Sequence, residues 1–141
     1  MSAPAQGGRT TAPDPTCRAL GIAVEAVGPG RSRARMLITQ DMLNAHGTAH
    51  GGYLFLLADA AFASASNSHG PLAVAQSAQI TFLRPAEAGD DLVAEAVERA
   101  RGGRYGVYDV TVRGPADMII AEFRGHGVMR AAAPGKENNA R

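Results

Sequence analysis

The chain has 141 residues, 45% of them hydrophobic, and a formal net charge of +1. That length suits one domain with a core that needs neither disulfides nor a structural metal. Charges of both signs are scattered with no basic run that would track phosphates, so nucleic acid has no electrostatic claim and a small molecule is the expected partner.

The opening "MSAPAQGGRTTAPDP" buries too little apolar surface to order itself, so residues 1–16 are expected to be a disordered tail. It has no apolar segment that would make a signal peptide. Cys17 is the single cysteine, which excludes an internal disulfide and fits a reducing, cytoplasmic setting. It reads as an exposed thiol near a mobile end, with no catalytic role.

Two β-type runs follow, "LGIAVEAV" and "SRARMLIT", joined by "GPGR" as a hairpin turn. After the irregular "DMLNAHGTAH" comes a run, Tyr53 to Ala65, that is apolar except at Asp59. Its length and its Ala, Leu and Phe content predict a helix over Gly52 to Ser66. The run is too short to cross a bilayer. A helix apolar nearly all round must be wrapped by the rest of the chain. The rest supplies "LAVAQSAQITFLRP", "DLVAEAVERAR", "RYGVYDVTVR" and "DMIIAEFRGHGVMR", punctuated by "AEAGDD", "GG" and "GPAD". One helix with five or six antiparallel strands describes an α+β domain over residues 17–130, its sheet curled round its helix. The ending "AAAPGKENNAR", residues 131–141, reads as a second disordered tail.

The aspartate needs a reason, because a carboxylate in an apolar helix is costly to desolvate and its pKa should rise toward the range of a useful base or nucleophile. Gly51 and Gly52 stand at the helix start, where backbone N–H groups lack partners and could hold a developing oxyanion. An isolated His-Gly-Gly is more often only a tight turn. An acid and such a donor pair on one element, however, recur in acyl-transfer sites. Gly51 and Asp59 are eight residues apart, about 12 Å of helical rise, so one chain cannot aim both at one carbonyl. A two-fold dimer with sites shared between subunits is the expected solution.

The order Asn44, five residues, His50-Gly51-Gly52, then Leu57-Ala58-Asp59, with "FLRPAEAGDDL" and "GVYDVTV", resembles the hotdog-fold acyl-CoA thioesterases of the phenylacetate-degradation (PaaI) type. The resemblance covers residues 17–130. It implies a curled sheet round a long helix, homodimers that pair into homotetramers, and hydrolysis of an aromatic acyl-CoA such as phenylacetyl-CoA or hydroxyphenylacetyl-CoA. By position, Asp59 would attack or activate water and the Gly51 N–H would polarise the thioester carbonyl. His50 and Asn44 would orient that end, and Ser77 would hold the water beside Asp59. The chain departs from the pattern at Ala60, where the family would suggest Ser or Thr.

No metal or organic cofactor is expected, and no membrane. His46, His69 and His126 lie between or beside glycines and read as solvated turn residues. The alternatives are a thioesterase for another acyl-CoA, medium-chain or naphthoyl, and a noncatalytic acyl-CoA-binding module on the same fold.

Overall fold

The computed structural model describes residues 14–130. The apolar run forms the long helix α2 over Gly51–Ser66, one residue earlier at its start than its composition suggests. Six strands surround it: β1 (Ala23–Gly28), β2 (Arg31–Leu37), β3 (Ala73–Phe82), β4 (Asp91–Gly102), β5 (Tyr105–Arg113) and β6 (Ile119–Met129). They form one antiparallel sheet in the order β1-β2-β4-β5-β6-β3, and α2 packs against every strand. The expected α+β hotdog architecture is thus the observed one.

Small side chains let the helix approach the sheet closely. Ala58, Ala61 and Ala65 of α2 are fully buried, as are Ala34, Ala94 and Ala121 on the strands. Leu57 and Phe62 fill what remains. Phe62 packs between Tyr108 and Phe123, with ring centroids 5.6 and 5.8 Å away. Its ring occupies space that exists because Gly125 has no side chain: a Cβ there would lie 2.9 Å from three Phe62 ring atoms. The "RGHG" segment is therefore strand β6, and the glycines that suggest a turn are the gap into which a core ring fits.

Two details differ from the sequence expectation. Leu20 does not open β1, because Pro15–Leu20 form a short helix, α1. Its start is capped by Asp14, whose Oδ1 accepts from the Cys17 N–H at 2.7 Å, and its end by Gly21 in the left-handed region at φ 73°. Asp14 to Thr16, placed in the tail by composition, thus belong to a formed helix start; the remaining tail expectations, 1–13 and 131–141, lie outside the described residues. Cys17 is buried in the core cluster and not an exposed thiol. No helix among the described residues is long and apolar enough to cross a membrane.

Among the described residues, β3 lies at one edge of the sheet and pairs only with β6. Most of its ten residues are exposed, and the large apolar side chains Val74 and Phe82 on it, with Leu72 and Leu83 flanking it, are open to solvent.

Candidate active site

The loop before α2 is built by Asn44. Its Oδ1 accepts from the backbone N–H groups of His46 at 2.9 Å and Thr48 at 3.2 Å, and its Nδ2 donates to Thr48 Oγ1 at 3.2 Å. A bridge between Leu43 and Ala49 closes this loop, and the Ala49 and His50 N–H groups donate to the carbonyls of Ala86 and Met42, both at 2.8 Å. Asn44 thus spends its side chain on its own loop, and what the loop delivers is His50 at the N-cap of α2. His50 makes no side-chain capping bond. Its imidazole is exposed.

Among the described residues, neither the Gly51 nor the Gly52 N–H has a hydrogen-bond acceptor; the first donor of the helix that is used is that of Tyr53, to the His50 carbonyl at 3.0 Å. These two donors, with the helix dipole behind them, are free for an anion. Gly51 lies under the ring of Phe82 at the end of β3, and a Cβ at position 51 would come within 2.8 Å of it. The helix start therefore sits over β3, the edge strand of the described sheet.

Asp59, eight residues on, is half-buried. No described hydrogen bond or ion pair involves it, so it is neither a cap nor the partner of an arginine of the sheet. Burial pushes its pKa up, and the negative charge of Asp14 adds to the effect. Asp14 itself stays ionised readily, held below the ordinary range chiefly by the Cys17 backbone N–H it accepts. Burial, and then a hydrogen bond with Asp14, push the Cys17 thiol up to about 11, so it stays protonated at neutral pH. The contribution of α1 to the charge around Asp59 escaped the sequence reading, although the Asp-Pro start of "DPTC" is an N-terminal helix signal.

Ser77 does not join this group. It is paired in register with His126, and its Oγ lies 3.1 Å from His126 Nδ1. His126 stands between Gly125 and Gly127, which face Phe62 across the inner side of the sheet, so His126 and Ser77 face outward, away from α2. The expectation that Ser77 holds water beside Asp59 of the same chain is corrected by this placement. Its physical reason is a break in register between Ala75 and Ser77, after which the strand's alternation no longer follows a simple count. The remaining histidines divide. His46 is exposed in the Asn44 loop, whereas His69 lies 2.7 Å from the Glu98 carboxylate and is mostly covered.

Phe55, one helical turn before Asp59, packs edge-on to Phe123 at 5.3 Å and keeps about a third of its surface exposed. With Phe82 it leaves two aromatic rings open, one near each end of the span from Gly51 to Asp59.

Comparison with known proteins follows the same stretch. The family model described as "Thioesterase superfamily" matches residues 46–121. The acyl-coenzyme A thioesterase PaaI of Escherichia coli is 46% identical over 112 residues, spanning 79% of this chain and 80% of that one. The solved structure of the E. coli PaaI protein, from the phenylacetic acid degradation operon, superposes with a TM-score of 0.81 at 43% identity, covering 84% of this chain and 86% of that one. A mutant of the phenylacetic acid degradation protein PaaI from Thermus thermophilus gives 0.79 at 41% identity, over 83% and 100% of the two chains. A Streptococcus mutans protein solved bound to acetyl-CoA gives 0.74 at 26% identity, over 78% and 89%.

Proposed function

This chain belongs to the thioesterase superfamily as a hotdog-fold acyl-CoA hydrolase of the PaaI type, and on that premise we propose that it cleaves arylacetyl-CoA esters at sites each built from two copies of the chain. Asp59 carries this reading: a half-buried carboxylate without a partner, on the same helix as two free N–H donors.

In the proposed site the thioester carbonyl oxygen lies at the Gly51 N–H of one copy, on a loop aligned by Asn44 and His50. The charge that develops on that oxygen is met by donors already in place. Asp59 of the second copy then either attacks the carbonyl carbon, forming a mixed anhydride that water hydrolyses to release the acid and restore the carboxylate, or takes a proton from a water that attacks the carbon in its place. Coenzyme A leaves as a thiolate, so no strong general acid is required.

Two features support the sharing. About 12 Å of helix separates Gly51 from Asp59 in one chain. The helix start also overlies β3, the long apolar edge where a second copy of the same strand could pair. For the acyl group, the names of the relatives point to phenylacetate chemistry, and the open rings of Phe55 and Phe82 offer an aryl group edge or face contacts.

The test is a panel of acyl-CoA esters with thiol release read by a chromogenic reagent. Phenylacetyl-CoA or its hydroxylated forms should give a higher kcat/KM than straight-chain esters of similar size. If an aliphatic ester leads clearly, the aryl assignment fails. If every ester binds and none is cleaved, the chain is a binding module.

A further inference from the structure

α2 and the edge strand β3 run past each other in opposite directions. At one end Gly51 lies under Phe82. At the other, the Asn67 side chain, just past the helix, accepts from the Ala73 N–H at 2.9 Å and donates to the Ala73 carbonyl at 3.1 Å. Between these ends, register with β6 fixes which β3 side chains face the helix. Ala78 pairs with Gly125 and Ile80 with Phe123, and both of those β6 residues lie against rings of α2, so Ala78 and Ile80 share their inward face. The helix does not seal either one: Ala78 is exposed and Ile80 is half-buried. Phe55, Asp59 and Ala63, each four residues on, share one face of α2, and none of them is buried. Midway along both elements Asp59 stands level with Ala78. Small side chains, Ala63 and Ala78, thus accompany the carboxylate, while Phe55, Ile80 and Phe82 crowd the space toward the helix start.

We propose that Phe55 limits how far the acyl group extends beyond the thioester carbonyl, and that Phe123 holds Phe55 to that limit. This rests on the thioesterase reading above, with the carbonyl carbon at Asp59. Phe55 lies four residues before Asp59, about 6 Å along the helix axis. A substrate ring in contact with the Phe55 ring has its centroid about 4.5–7 Å away. A ring one carbon from the carbonyl is accommodated in that span, whereas each further carbon drives it into Phe55. The Phe55 ring is not free to swing inward. It meets Phe123 edge-on at 5.3 Å and 68°, and Phe123, 2% exposed, is itself backed by Phe62 at 5.8 Å. A close-packed stack of buried rings therefore stands behind the exposed one. Phe55 determines specificity by touching the acyl group; Phe123 is a positioning residue that acts through it.

The experiment measures kcat/KM for a short and a long ester in each of two series, phenylacetyl-CoA with phenylbutyryl-CoA and butyryl-CoA with octanoyl-CoA, on the wild type, Phe55→Ala and Phe123→Leu. The readout is the ratio of long to short within a series, which a loss of folded protein leaves unmoved because it scales both esters alike. Phe55→Ala should raise this ratio about tenfold or more, since a single methylene that a pocket refuses is worth about that much. Phe123→Leu should raise it in the same direction by a smaller factor. If that variant loses its near-ultraviolet circular dichroism, Phe123→Met takes its place. An unchanged ratio in Phe55→Ala overturns the limit, and an unchanged ratio in the Phe123 variant overturns the brace. If an aliphatic ester leads in the wild type, the aryl assignment fails, and a raised octanoyl-to-butyryl ratio in Phe55→Ala still upholds the limit. If the wild type cleaves no thioester, the thioesterase reading falls, and dissociation constants of the same esters decide: long esters tightened relative to short ones by Phe55→Ala keep the limit, and equal changes remove it.

Discussion

Mixing two inactive variants would test the shared site directly. Asn44→Ala removes the acceptor of the His46 and Thr48 N–H groups and the donor to Thr48 Oγ1, so the loop that aims the start of α2 loses what orders it. If that withdraws the Gly51 donor, the cost is about 10²-fold or more in turnover. Asp59→Ala removes the base or nucleophile, with a similar loss. Each variant alone should therefore retain about 1% of wild-type activity or less. In a mixed dimer, one site collects both lesions, while the other takes its loop from the Asp59→Ala chain and its carboxylate from the Asn44→Ala chain. Equal amounts reassort to about half mixed dimers with one of two sites intact, giving about a quarter of wild-type activity. The two proteins are unfolded together, refolded, and assayed for thiol release beside each one refolded alone. If mass spectrometry shows mixed dimers and activity stays at the level of the parents, Gly51 and Asp59 do not serve one carbonyl.

The acid limb of kcat/KM should lie above the ordinary aspartate range, because activity requires the Asp59 carboxylate and burial raises its pKa. Asp14→Asn keeps a capping side chain but removes a negative charge, so the limb should move to lower pH; a pH profile in which it stays or moves up contradicts the role given to Asp14. Stability carries the opposite sign from that of a paired aspartate. The folded pKa lies above the unfolded one, so the native state loses stability as pH rises through the window between them, and Asp59→Asn should melt higher than wild type above that window and alike below it. In the core, Gly125→Ala should cost about 1–3 kcal/mol in a urea titration, since its Cβ would meet a fully buried Phe62 ring at 2.9 Å. Gly127→Ala, whose nearest contacts are 3.6 Å, should cost clearly less, and equal costs would show that Phe62 does not set the limit.

The helix and the six strands were legible because their signals are local. An apolar run longer than a strand, and Gly or Pro at nearly every turn, fix the type and order of these elements. Asp59 stood out for the same reason, as one charge in that run. What failed to show depended on partners distant in sequence. The glycines beside His126 look like turn residues until Phe62, from another element, is placed against them. Ser77 counts as an inward residue only if β3 is regular, and the break after Ala75 is set by pairing with β6. Asn44 stands out by its spacing from His50 and Gly51, yet its contacts are with the next few residues, which makes its part in the site an indirect one.

The open flank of β3 has a consequence for how such a protein is made. A ten-residue strand whose outer backbone groups have no partner among the described residues, with Val74 and Phe82 exposed on it and Leu72 just before it, offers any other extended chain a template to add to, so a newly synthesised copy competes between its proper mate and misdirected partners. A proper mate closes the edge and stops further growth, while a mismatched strand leaves a new edge behind it. Expression level then acts on quality as well as on amount: slow synthesis prolongs the time each copy waits with its edge uncovered, and crowded synthesis multiplies wrong encounters among chains not yet folded. The same hydrogen-bonding row that would align two half-sites is thus the surface on which yield would be lost.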